Sequence, residues 1–424
     1  MDTSLDKIIQ LLESGNAKLA LTLLNGQKDL EAKVLAHFQP LLNAFGKKTL
    51  RAVSKILGKI QADQLTYKEQ TYLWAVSPYK EKIEKLHIFG YKKRGNYIPK
   101  TLRYLNKLKE LKIENISVGS FPEEIMHLKQ LERLDFSTHY TNSTIQLPNT
   151  FDRLPLLKYL SFNNSGKTSG KMPSSITKLT ELEHLEITHT LKKIHKHIGQ
   201  LSTLKTLSLC HNNLSKLPAS ITKLQDLETL NLRYNKFEVF PTQIIQLNNL
   251  KYLLIAGNPI KKLPDEIYKL SHLKYIGLSQ TQMTKLPNTF QRLSELEVLF
   301  LQDIEITNLE VLEGLPKLKH LLVKNYHPVI KELKSLEILS LEDRTIETLP
   351  NGLDQLINLR KLELDGSGIK NITSKKCIDI FSNLNKLESL SIDNWSNIPN
   401  QEFDQLEKLF PNLEVFPNKN WREA

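Results

Sequence analysis

A period of about 23 residues runs through more than three-quarters of this 424-residue chain. Segments that begin at Leu204, Leu227, Leu250 and Leu273 align without gaps, and their apolar positions coincide. A period of this length predicts an array of stacked, similar modules rather than a domain with a single central core. Extending the register gives fourteen full units and one partial unit, which begin at Ile83, Leu108, Leu131, Leu157, Leu182, Leu204, Leu227, Leu250, Leu273, Leu296, Leu318, Leu336, Leu359, Leu387 and Leu413.

Each unit opens with the pattern LxxLxLxx(N), in which leucines alternate with other residues. Alternation of this kind predicts a short β-strand with one buried face and one exposed face. A single unit has nothing to cover its leucine face, so burial requires the stacking of neighbouring units. We therefore expect the leucines to form a continuous core, with positions three, five and seven of each unit on the exposed face of a parallel sheet.

Two other positions of the unit are informative. The ninth residue is asparagine in three consecutive units, at Asn212, Asn235 and Asn258, where a buried amide can satisfy backbone groups of the turn. The strand is followed by LPxxIxxL or a close variant. Proline fixes φ and donates no hydrogen bond, so we expect it in the first turn of a short helical segment on the opposite side of the unit.

The combined motif LPxxIxxLxxLxxLxLxxN resembles that of the leucine-rich repeat family, and its form is similar to the Ras-group intracellular members and their bacterial counterparts. The resemblance covers roughly residues 83 to 416. It implies an α/β fold, a curved horseshoe-shaped solenoid with parallel strands on the concave face and short helical segments on the convex face. It says little about function, because the family binds many unrelated partners.

The first 80 residues carry no repeat and are expected to form an all-helical N-terminal module. Its minimal role is to cap the exposed edge of the first strand. The predicted organisation is a capping module at 1–80, a repeat array at 81–416 and a tail at 417–424. Apolar spacing and the glycine or proline that ends each run predict helices near residues 5–12, 19–24, 30–38, 50–60 and 66–76.

The spacing of the units changes near the carboxyl end. Leu318 and Leu336 are 18 residues apart, which leaves little room for a helical segment between their strands. Leu359 and Leu387 are 28 residues apart, and apolar residues at helical spacing between them predict an additional helix around Cys377. The last residues of the array are expected to form a closing helix and a final strand that cover the core.

Cellular location is inferred from what the sequence lacks. The amino terminus has no basic and apolar segments typical of a secretory signal, and no run of about 18 apolar residues is present. Only two cysteines, Cys210 and Cys377, occur, so disulfide-sealed ends are not expected. Unless a leader has been removed, we expect a cytoplasmic, monomeric protein with no membrane span.

Net charge is +12 over the whole chain and is concentrated at its start. Basic residues there could form a patch for nucleic acid or an anionic surface, although solvated helix faces are the favoured interpretation because no aromatic residues interleave for base stacking. These residues are Lys47, Lys48, Arg51, Lys55, Lys59, Lys92, Lys93 and Arg94.

The exposed strand positions change in character along the array. In the first units they are mixed in charge, at Lys85, His87, Glu110, Lys112, Arg133 and Asp135. From the unit at Leu227 onward they become aromatic and apolar, at Arg233, Tyr252, Leu254, Ala256, Tyr275, Gly277, Val298, Phe300, Leu322 and Ile338, with Tyr234 at the rim. A contiguous exposed patch of this composition is typical of a protein-interaction site.

Beyond this patch the same positions turn acidic, at Glu342, Glu363, Asp365 and Asp393, with Trp395 nearby. A ligand with an apolar anchor and a basic flank would fit, whereas acidic side chains disfavour nucleic acid at this end. The predicted partner-binding residues are Arg233, Tyr234, Tyr252, Leu254, Tyr275, Phe300, Leu322, Glu342, Glu363 and Asp365.

Motifs that could carry chemistry are incomplete. The run from Ser165 to Thr168 resembles the end of a phosphate-binding loop, but that motif needs glycine where Ser161 stands. Cys377 and Asp379 match the Cys-x-Asp of bacterial repeat-bearing ubiquitin ligases, but a core thiol is expected because no catalytic domain is recognisable. His189 and His211 share the eighth position of adjacent units without a further ligand. We therefore predict no catalytic residue, no metal and no cofactor.

The sequence thus favours a non-catalytic scaffold that binds a protein through the concave face. One alternative is that the chain is the recognition part of a bacterial effector or signalling enzyme whose catalytic domain lies elsewhere. The other is nucleic-acid or anionic-surface binding through the basic N-terminal module.

Overall fold

The computed structural model describes residues 3–13, 17–24, 27–38, 83–89, 98, 100–116, 118, 120–138, 145–164, 170–343, 345–364, 368–369, 372–392 and 400–416. The chain divides into two compact units, Met1–Gly166 and Lys167–Ala424. Each unit is described by itself. None of the helices in the described ranges combines the length and the apolar composition that a bilayer-spanning segment needs.

The first unit begins with three α-helices, α1 (Thr3–Glu13), α2 (Ala17–Leu24) and α3 (Lys28–His37). Leu12, Ala20 and Val34 are completely buried, so each helix contributes to a small core. These helices confirm the first three sequence predictions. The helices predicted at 50–60 and 66–76, and the basic residues from Lys47 to Lys59 and from Lys92 to Arg94, lie outside the described residues, and the capping role stays a prediction.

Four parallel strands follow in the first unit: β1 (Lys85–Phe89), β2 (Glu110–Ile116), β3 (Arg133–Thr138) and β4 (Tyr159–Asn163). Leu111, Leu134 and Leu160 are buried at equivalent positions. Each strand is joined to the next by a stretch that contains a short 3-10 helix. These helices are Lys100–Tyr104, Glu123–His127 and Phe151–Arg153.

The second unit contains one long parallel sheet, in which strands pair in chain order apart from two short insertions. Its strands are β6 (His184–Thr188), β8 (Thr206–Ser208), β9 (Thr229–Asn231), β10 (Tyr252–Leu254), β11 (Tyr275–Gly277), β12 (Val298–Leu301), β13 (His320–Val323), β14 (Ile338–Leu341), β15 (Lys361–Glu363), β16 (Ser389–Ser391) and β17 (Glu414–Phe416). The insertions, β5 (Gly170–Lys171) and β7 (Leu191–Lys193), pair with each other.

The strand register agrees with the sequence register throughout. All fourteen full units have a strand that begins at their third residue, and the partial unit at Leu413 supplies β17. Apolar residues at the first, fourth and sixth positions of the full units are buried, as Leu204, Leu207 and Leu209 illustrate with 0% exposure, except that Leu86 and Leu387 are half-buried. The leucine-rich repeat solenoid and the stacked leucine core are thereby confirmed.

In residues 167–424, short 3-10 helices rather than α-helices cover the side of most repeats that lies opposite the strand. Prolines before them were expected in the first helical turn, but Pro218, Pro241 and Pro264 are the N-cap residues, with extended φ and ψ. The proline ring therefore ends the extended segment, and the first helical residue follows it. The helices are Ser174–Lys178, Ile198–Gln200, Ala219–Lys223, Thr242–Gln246, Asp265–Lys269, Asn288–Arg292, Leu309–Gly314, Pro328–Glu332 and Leu353–Gln355.

Where the spacing of the repeats changes, near the carboxyl end, one prediction was wrong and two are confirmed. The short unit between Leu318 and Leu336 nevertheless has a five-residue 3-10 helix, Pro328–Glu332, so the expected lack of room was wrong. Helix α4 (Lys375–Asn383) lies in the long unit as predicted, with the Ser374 side chain capping its N-terminus. Helix α5 (Asn400–Leu409) and β17 form the predicted closing elements.

Asn212, Asn235 and Asn258 form a buried ladder in the turns after β8, β9 and β10. The Oδ1 of Asn235 accepts a hydrogen bond from the Leu214 amide at 3.0 Å, and its Nδ2 donates to the carbonyls of Leu209 and Leu232 at 2.8 and 3.0 Å. Asn212 and Asn258 make equivalent bonds. The amides therefore satisfy turn backbone groups of two adjacent repeats, as the sequence predicted.

Candidate protein-binding surface

The exposed face of the second unit's sheet brings the third and fifth positions of successive repeats into two straight columns. In the third column Tyr252 pairs with Tyr275, and Tyr275 with Val298. In the fifth column Leu254 pairs with Gly277, and Gly277 with Phe300. Because neighbouring strands lie about 4.8 Å apart, side chains in one column contact those in the next repeat. The predicted binding surface required this strand register, and the structure has it.

Three aromatic rings contact one another across β11, β12 and β13. The rings of Tyr275 and Phe300 meet edge to face with centroids 5.2 Å apart, and those of Phe300 and His320 do so at 4.8 Å. Tyr252, on the preceding strand, is 41% exposed. We call Tyr252, Tyr275, Phe300 and His320 the aromatic cluster. Its rings are rigid and partly solvent-exposed, which favours burial against a partner.

Gly277 shapes this cluster because it leaves space over the sheet. A Cβ at Gly277 would lie 3.3 Å from both Cε1 and the hydroxyl oxygen of Tyr275, so the tyrosine ring lies across the glycine backbone. Burial raises the pKa of Tyr275, although the charge of Arg233 acts in the opposite direction. Gly277 and Ala256 are buried, whereas both were predicted on the exposed face. Neither has a side chain long enough to project beyond its neighbours.

Apolar side chains extend the cluster on both sides. Leu254, Val298, Leu322 and Ile338 are all half-buried on the exposed face of the sheet.

Burial lowers the pKa of His320, with Glu363 opposing this effect, so the ring is favoured in its neutral form. His320 was not identified from sequence, although it occupies the third position of the unit that begins at Leu318 and the same register would have found it.

A second ring system forms the rim, at the eighth position of each repeat. His189 and His211 stack with centroids 5.0 Å apart, and His211 and Tyr234 stack at 4.4 Å. Tyr234 is 43% exposed and its ring covers Gly257, whose Cβ, if present, would lie 2.4 Å from Cδ1 of the ring. Tyr234 therefore lies at the rim as predicted. Within the described residues no three His, Cys, Asp or Glu side chains are grouped as metal ligands.

The rim residues share a left-handed backbone. His189, His211 and Tyr234 have φ of 58°, 53° and 54°, and Gly257 has φ of 69°. This conformation costs about 1 kcal/mol or more for a residue with a Cβ. It is offset by inter-repeat hydrogen bonds, in which the amides of His211 and Tyr234 donate to the carbonyls of Arg233 and Ala256, both at 2.9 Å.

The stacked histidines give the fold a pH dependence. Burial lowers the pKa of His189 and of His211, with further lowering by the neighbouring charges of His211 and Arg233, respectively. A folded-state pKa below the unfolded value means that the unfolded chain binds more protons, so stability is fully present above about pH 6.5 and is lost as pH falls below it.

We therefore expect the urea midpoint to fall on acidification from about pH 7.5 to about pH 5.5. In the double variant His189→Gln/His211→Gln this fall should be smaller, because two of the groups that take up protons on unfolding are gone. Urea titrations at the two pH values, followed by circular dichroism, measure the difference. Equal pH dependence in both proteins would contradict the interpretation.

Charged residues flank the aromatic cluster along the array. Nε of Arg233 donates to Oδ1 of Asn231 at 3.4 Å, which holds the guanidinium beside the sheet. At the other end Gln302 Nε2 donates to Oε1 of Glu342, and Lys361 Nζ lies 2.6 Å from Oε1 of Glu363. Glu363 is therefore partly neutralised within its own strand. Asp365, Asp393 and Trp395 lie outside the described residues.

The sheet face of the first unit differs, because its charges are paired with one another. His87 Nε2 and Lys112 Nζ lie 2.7 and 2.9 Å from the carboxylate of Glu114, and the Arg133 guanidinium covers the Tyr159 ring at 3.4 Å. Burial acts to raise the pKa of Glu114, but the bonds from Lys112 and His87 outweigh it and the pKa lies below its usual value. The predicted mixed charge is confirmed for this face.

Of the two remaining incomplete motifs, the structure describes the one at Cys377. Cys377 is completely buried in α4, which confirms the core thiol. Ser165, Gly166, Lys167 and Thr168 lie outside the described residues. Cys210 is half-buried, and burial raises the pKa of its thiol, so the thiolate is disfavoured.

Comparison with known proteins places these observations in a family. A model of the leucine-rich repeat region matches residues 82–196, 190–271 and 263–419. A leucine-rich repeat protein of Leptospira interrogans is 26% identical, with a TM-score of 0.50, and the match covers 83% of this chain and 92% of that one. No curated protein matches the sequence significantly.

Two further solved structures are similar to this chain. An internalin of Listeria monocytogenes is 20% identical with a TM-score of 0.48, and the match covers 74% of this chain and 87% of that one. A plant peptide hormone receptor, RGFR1 in complex with RGF2, is 19% identical with a TM-score of 0.51, covering 76% of this chain and 60% of that one. At 19% identity the likeness to the plant receptor concerns the fold alone.

Proposed function

This chain belongs to the leucine-rich repeat family, and from that premise we propose that it is a non-catalytic scaffold that binds a protein partner through the exposed sheet face of residues 167–424. The aromatic cluster carries the proposal. Contiguous exposed apolar surface is unusual on a monomer and typical of interaction sites, and Tyr, Phe and Arg are common at the centres of such interfaces.

The packing of the cluster supports binding rather than incidental exposure. Tyr275, Phe300 and His320 hold one another by edge-to-face contacts, so little conformational entropy is lost when a partner covers them. Leu254 and Leu322 lie beside the rings on the same face. The surface is therefore pre-organised before the partner arrives.

Charge gives the proposed site a direction. Arg233 and Tyr234 lie on the side of the lower-numbered strands, and Glu342 and Glu363 on the side of the higher-numbered ones; Asp365, also proposed to bind, follows Glu363 in sequence. A partner segment with an apolar anchor over the rings and a basic residue toward Glu342 would match both the aromatic cluster and the acidic side of the surface. Complementary charge of this kind sets orientation and association rate more than affinity.

The same proposal describes a cytoplasmic, monomeric protein. Neither Cys210 nor Cys377 forms a disulfide within the described part of the chain, which supports a reducing compartment. The finer likeness to Ras-group members stays a prediction.

The test is partner recovery by a truncated surface. Full-length protein and the variant Tyr252→Ala/Tyr275→Ala/Phe300→Ala are used as bait with the same extract, and recovery of each captured protein is quantified. We expect recovery of the specific partner to fall at least about tenfold, since each truncation of a central aromatic typically costs more than 1 kcal/mol.

A matched control removes three exposed apolar side chains away from the sheet face, with Tyr104→Ala/Leu156→Ala/Ile357→Ala. All three are at least 40% exposed. The control should recover the partner as wild type does. Unchanged recovery by the cluster variant would remove the sheet face from consideration.

A further inference from the structure

A second surface of residues 167–424 lies beyond the edge at which the strands end. In five consecutive repeats an exposed dipeptide follows the turn and is held between two buried apolar residues, such as Leu214 and Leu217 or Ile260 and Leu263. Six of these ten residues are lysine and one is acidic. The dipeptides are Lys192-Lys193, Ser215-Lys216, Glu238-Val239, Lys261-Lys262 and Thr284-Lys285.

Backbone hydrogen bonds keep these dipeptides in a row. The amides of Asn213, Lys236 and Gln282 donate to carbonyls of the preceding repeat, at Leu191, Leu214 and Ile260, with distances of 2.8 to 2.9 Å. Since three of the four steps between neighbouring dipeptides are fixed in this way, the side chains project from one side at the repeat spacing. We call Lys192, Lys193, Lys216, Lys261, Lys262 and Lys285 the basic edge.

The charges of the basic edge are not neutralised by the described part of the protein. None of its six lysines makes an ion pair with a described carboxylate, and Glu238 is the one acidic residue in the row. At the opposite edge, where the strands begin, lysine and glutamate alternate and pair. Lys205, Lys251 and Lys274 lie 2.8, 2.9 and 3.5 Å from Glu183, Glu228 and Glu297, respectively.

The contrast between the two edges argues for a ligand. The repeats that pair lysine with glutamate at one edge carry six lysines and one glutamate at the other, and like charges in a row repel one another. A surface of this kind is stabilised when it meets negative charge. The partner must therefore be anionic along a line several repeats long, because neighbouring strands are about 4.8 Å apart.

Val239 identifies the type of anionic partner. It is 74% exposed and takes the place in the row that Lys216, Lys262 and Lys285 occupy in their repeats. An apolar side chain between lysines suits the boundary between headgroups and acyl chains. The exposed dipeptides contain no aromatic residue on which a nucleic-acid base could stack, and a lysine ammonium is a point charge without base-reading geometry.

We propose that the basic edge binds the surface of an anionic lipid bilayer, with Val239 entering the interface. Each lysine attracts the negative surface independently, and lipid headgroups can move to meet a fixed row of charges. The attraction falls off within the screening length of the salt, so binding depends on ionic strength.

The test uses the full chain and vesicles of phosphatidylcholine with or without phosphatidylserine, separated by sedimentation. We expect binding to the phosphatidylserine vesicles alone, and loss of binding when NaCl is raised from about 0.1 M to about 1 M. Lys216→Ala/Lys262→Ala/Lys285→Ala should weaken binding about a hundredfold, since each basic residue near such a surface contributes about fivefold.

The matched control is Lys205→Ala/Lys251→Ala/Lys274→Ala, which changes net charge equally at the opposite edge. It should bind vesicles within about threefold of wild type. Circular dichroism of both variants verifies that they fold. Equal loss in both variants, or no binding of wild type to phosphatidylserine vesicles, would overturn the proposal.

Val239→Ser, which removes the apolar group without adding charge, separates a bilayer from a nucleic acid. It should weaken vesicle binding, because an apolar group no longer enters the interface. The same variant is titrated with a double-stranded DNA oligonucleotide at the same ionic strength. If wild type binds the DNA more tightly than the vesicles, and the basic-edge variant loses DNA binding, a nucleic acid replaces the bilayer and the proposal fails.

Discussion

Replacing Asn235 by alanine is expected to lower the free energy of unfolding by about 3 kcal/mol. The side chain is 4% exposed, and its Oδ1 receives the hydrogen bond of the Leu214 amide. Once the side chain is removed, that amide is buried without a partner, which costs about 1 to 3 kcal/mol. The lost bonds to the carbonyls of Leu209 and Leu232 add about 1 kcal/mol each at most, because other donors still reach these carbonyls.

Urea unfolding followed by circular dichroism measures this change. Asn248→Ala is the matched control, because Asn248 is an exposed asparagine in the same repeat whose Nδ2 donates only to the side chain of Gln225. Its free energy of unfolding should stay within about 0.5 kcal/mol of wild type. If Asn235→Ala were no less stable than Asn248→Ala, the ladder would not support the turns.

The repeat itself could be predicted because its period has a direct physical cause. A leucine at the first, fourth and sixth positions can be buried in every unit only if all strands share one register. One correct alignment at Leu204 and Leu227 therefore fixes the rest. For the same reason every member of the aromatic cluster can be predicted from its column position, including His320, which was missed although it occupies the third column.

What could not be predicted depends on close contacts between neighbouring columns. Gly277 was assigned to the exposed face by its position, but the ring of Tyr275 covers it. The left-handed φ of His189, His211 and Tyr234 could not be inferred from residue type, since only a few per cent of non-glycine residues adopt it, and histidine, although enriched there, is usually right-handed or extended. Inter-repeat backbone bonds impose it, and such bonds are invisible in a single unit.

The loss of asparagine in the later repeats also has a structural answer. In the unit that begins at Leu336, the eighth residue, Asp343, is 7% exposed and replaces the missing amide. Its carboxylate accepts hydrogen bonds from the amides of Tyr326 and Thr345 at 3.2 and 2.9 Å. The requirement to satisfy turn amides therefore persists although the ninth position no longer meets it.

Gly199→Ala is expected to destabilise the protein by about 3 kcal/mol, although it adds a single methyl group. Gly199 lies in the 3-10 helix Ile198–Gln200, where a Cβ would lie 2.1 Å from the carbonyl oxygen of Ser220 and 2.9 Å from Cβ of Lys223. Both atoms belong to the 3-10 helix of the next repeat. No side-chain rotation relieves a clash with a backbone carbonyl, so the two repeats must separate.

Gly277→Ala is the matched control, because it brings the same reduction of unfolded-state entropy. Its Cβ would meet only the ring of Tyr275, at 3.3 Å, and that ring can shift toward solvent. We expect its free energy of unfolding, measured with urea, to lie within about 1 kcal/mol of wild type. Amide hydrogen exchange should rise in Gly199→Ala at Ile198–Gln200 and Ala219–Lys223, because separation of the repeats exposes both segments. Equal stability of the two variants would mean that adjacent 3-10 helices tolerate a wider spacing than their contact at Gly199 implies.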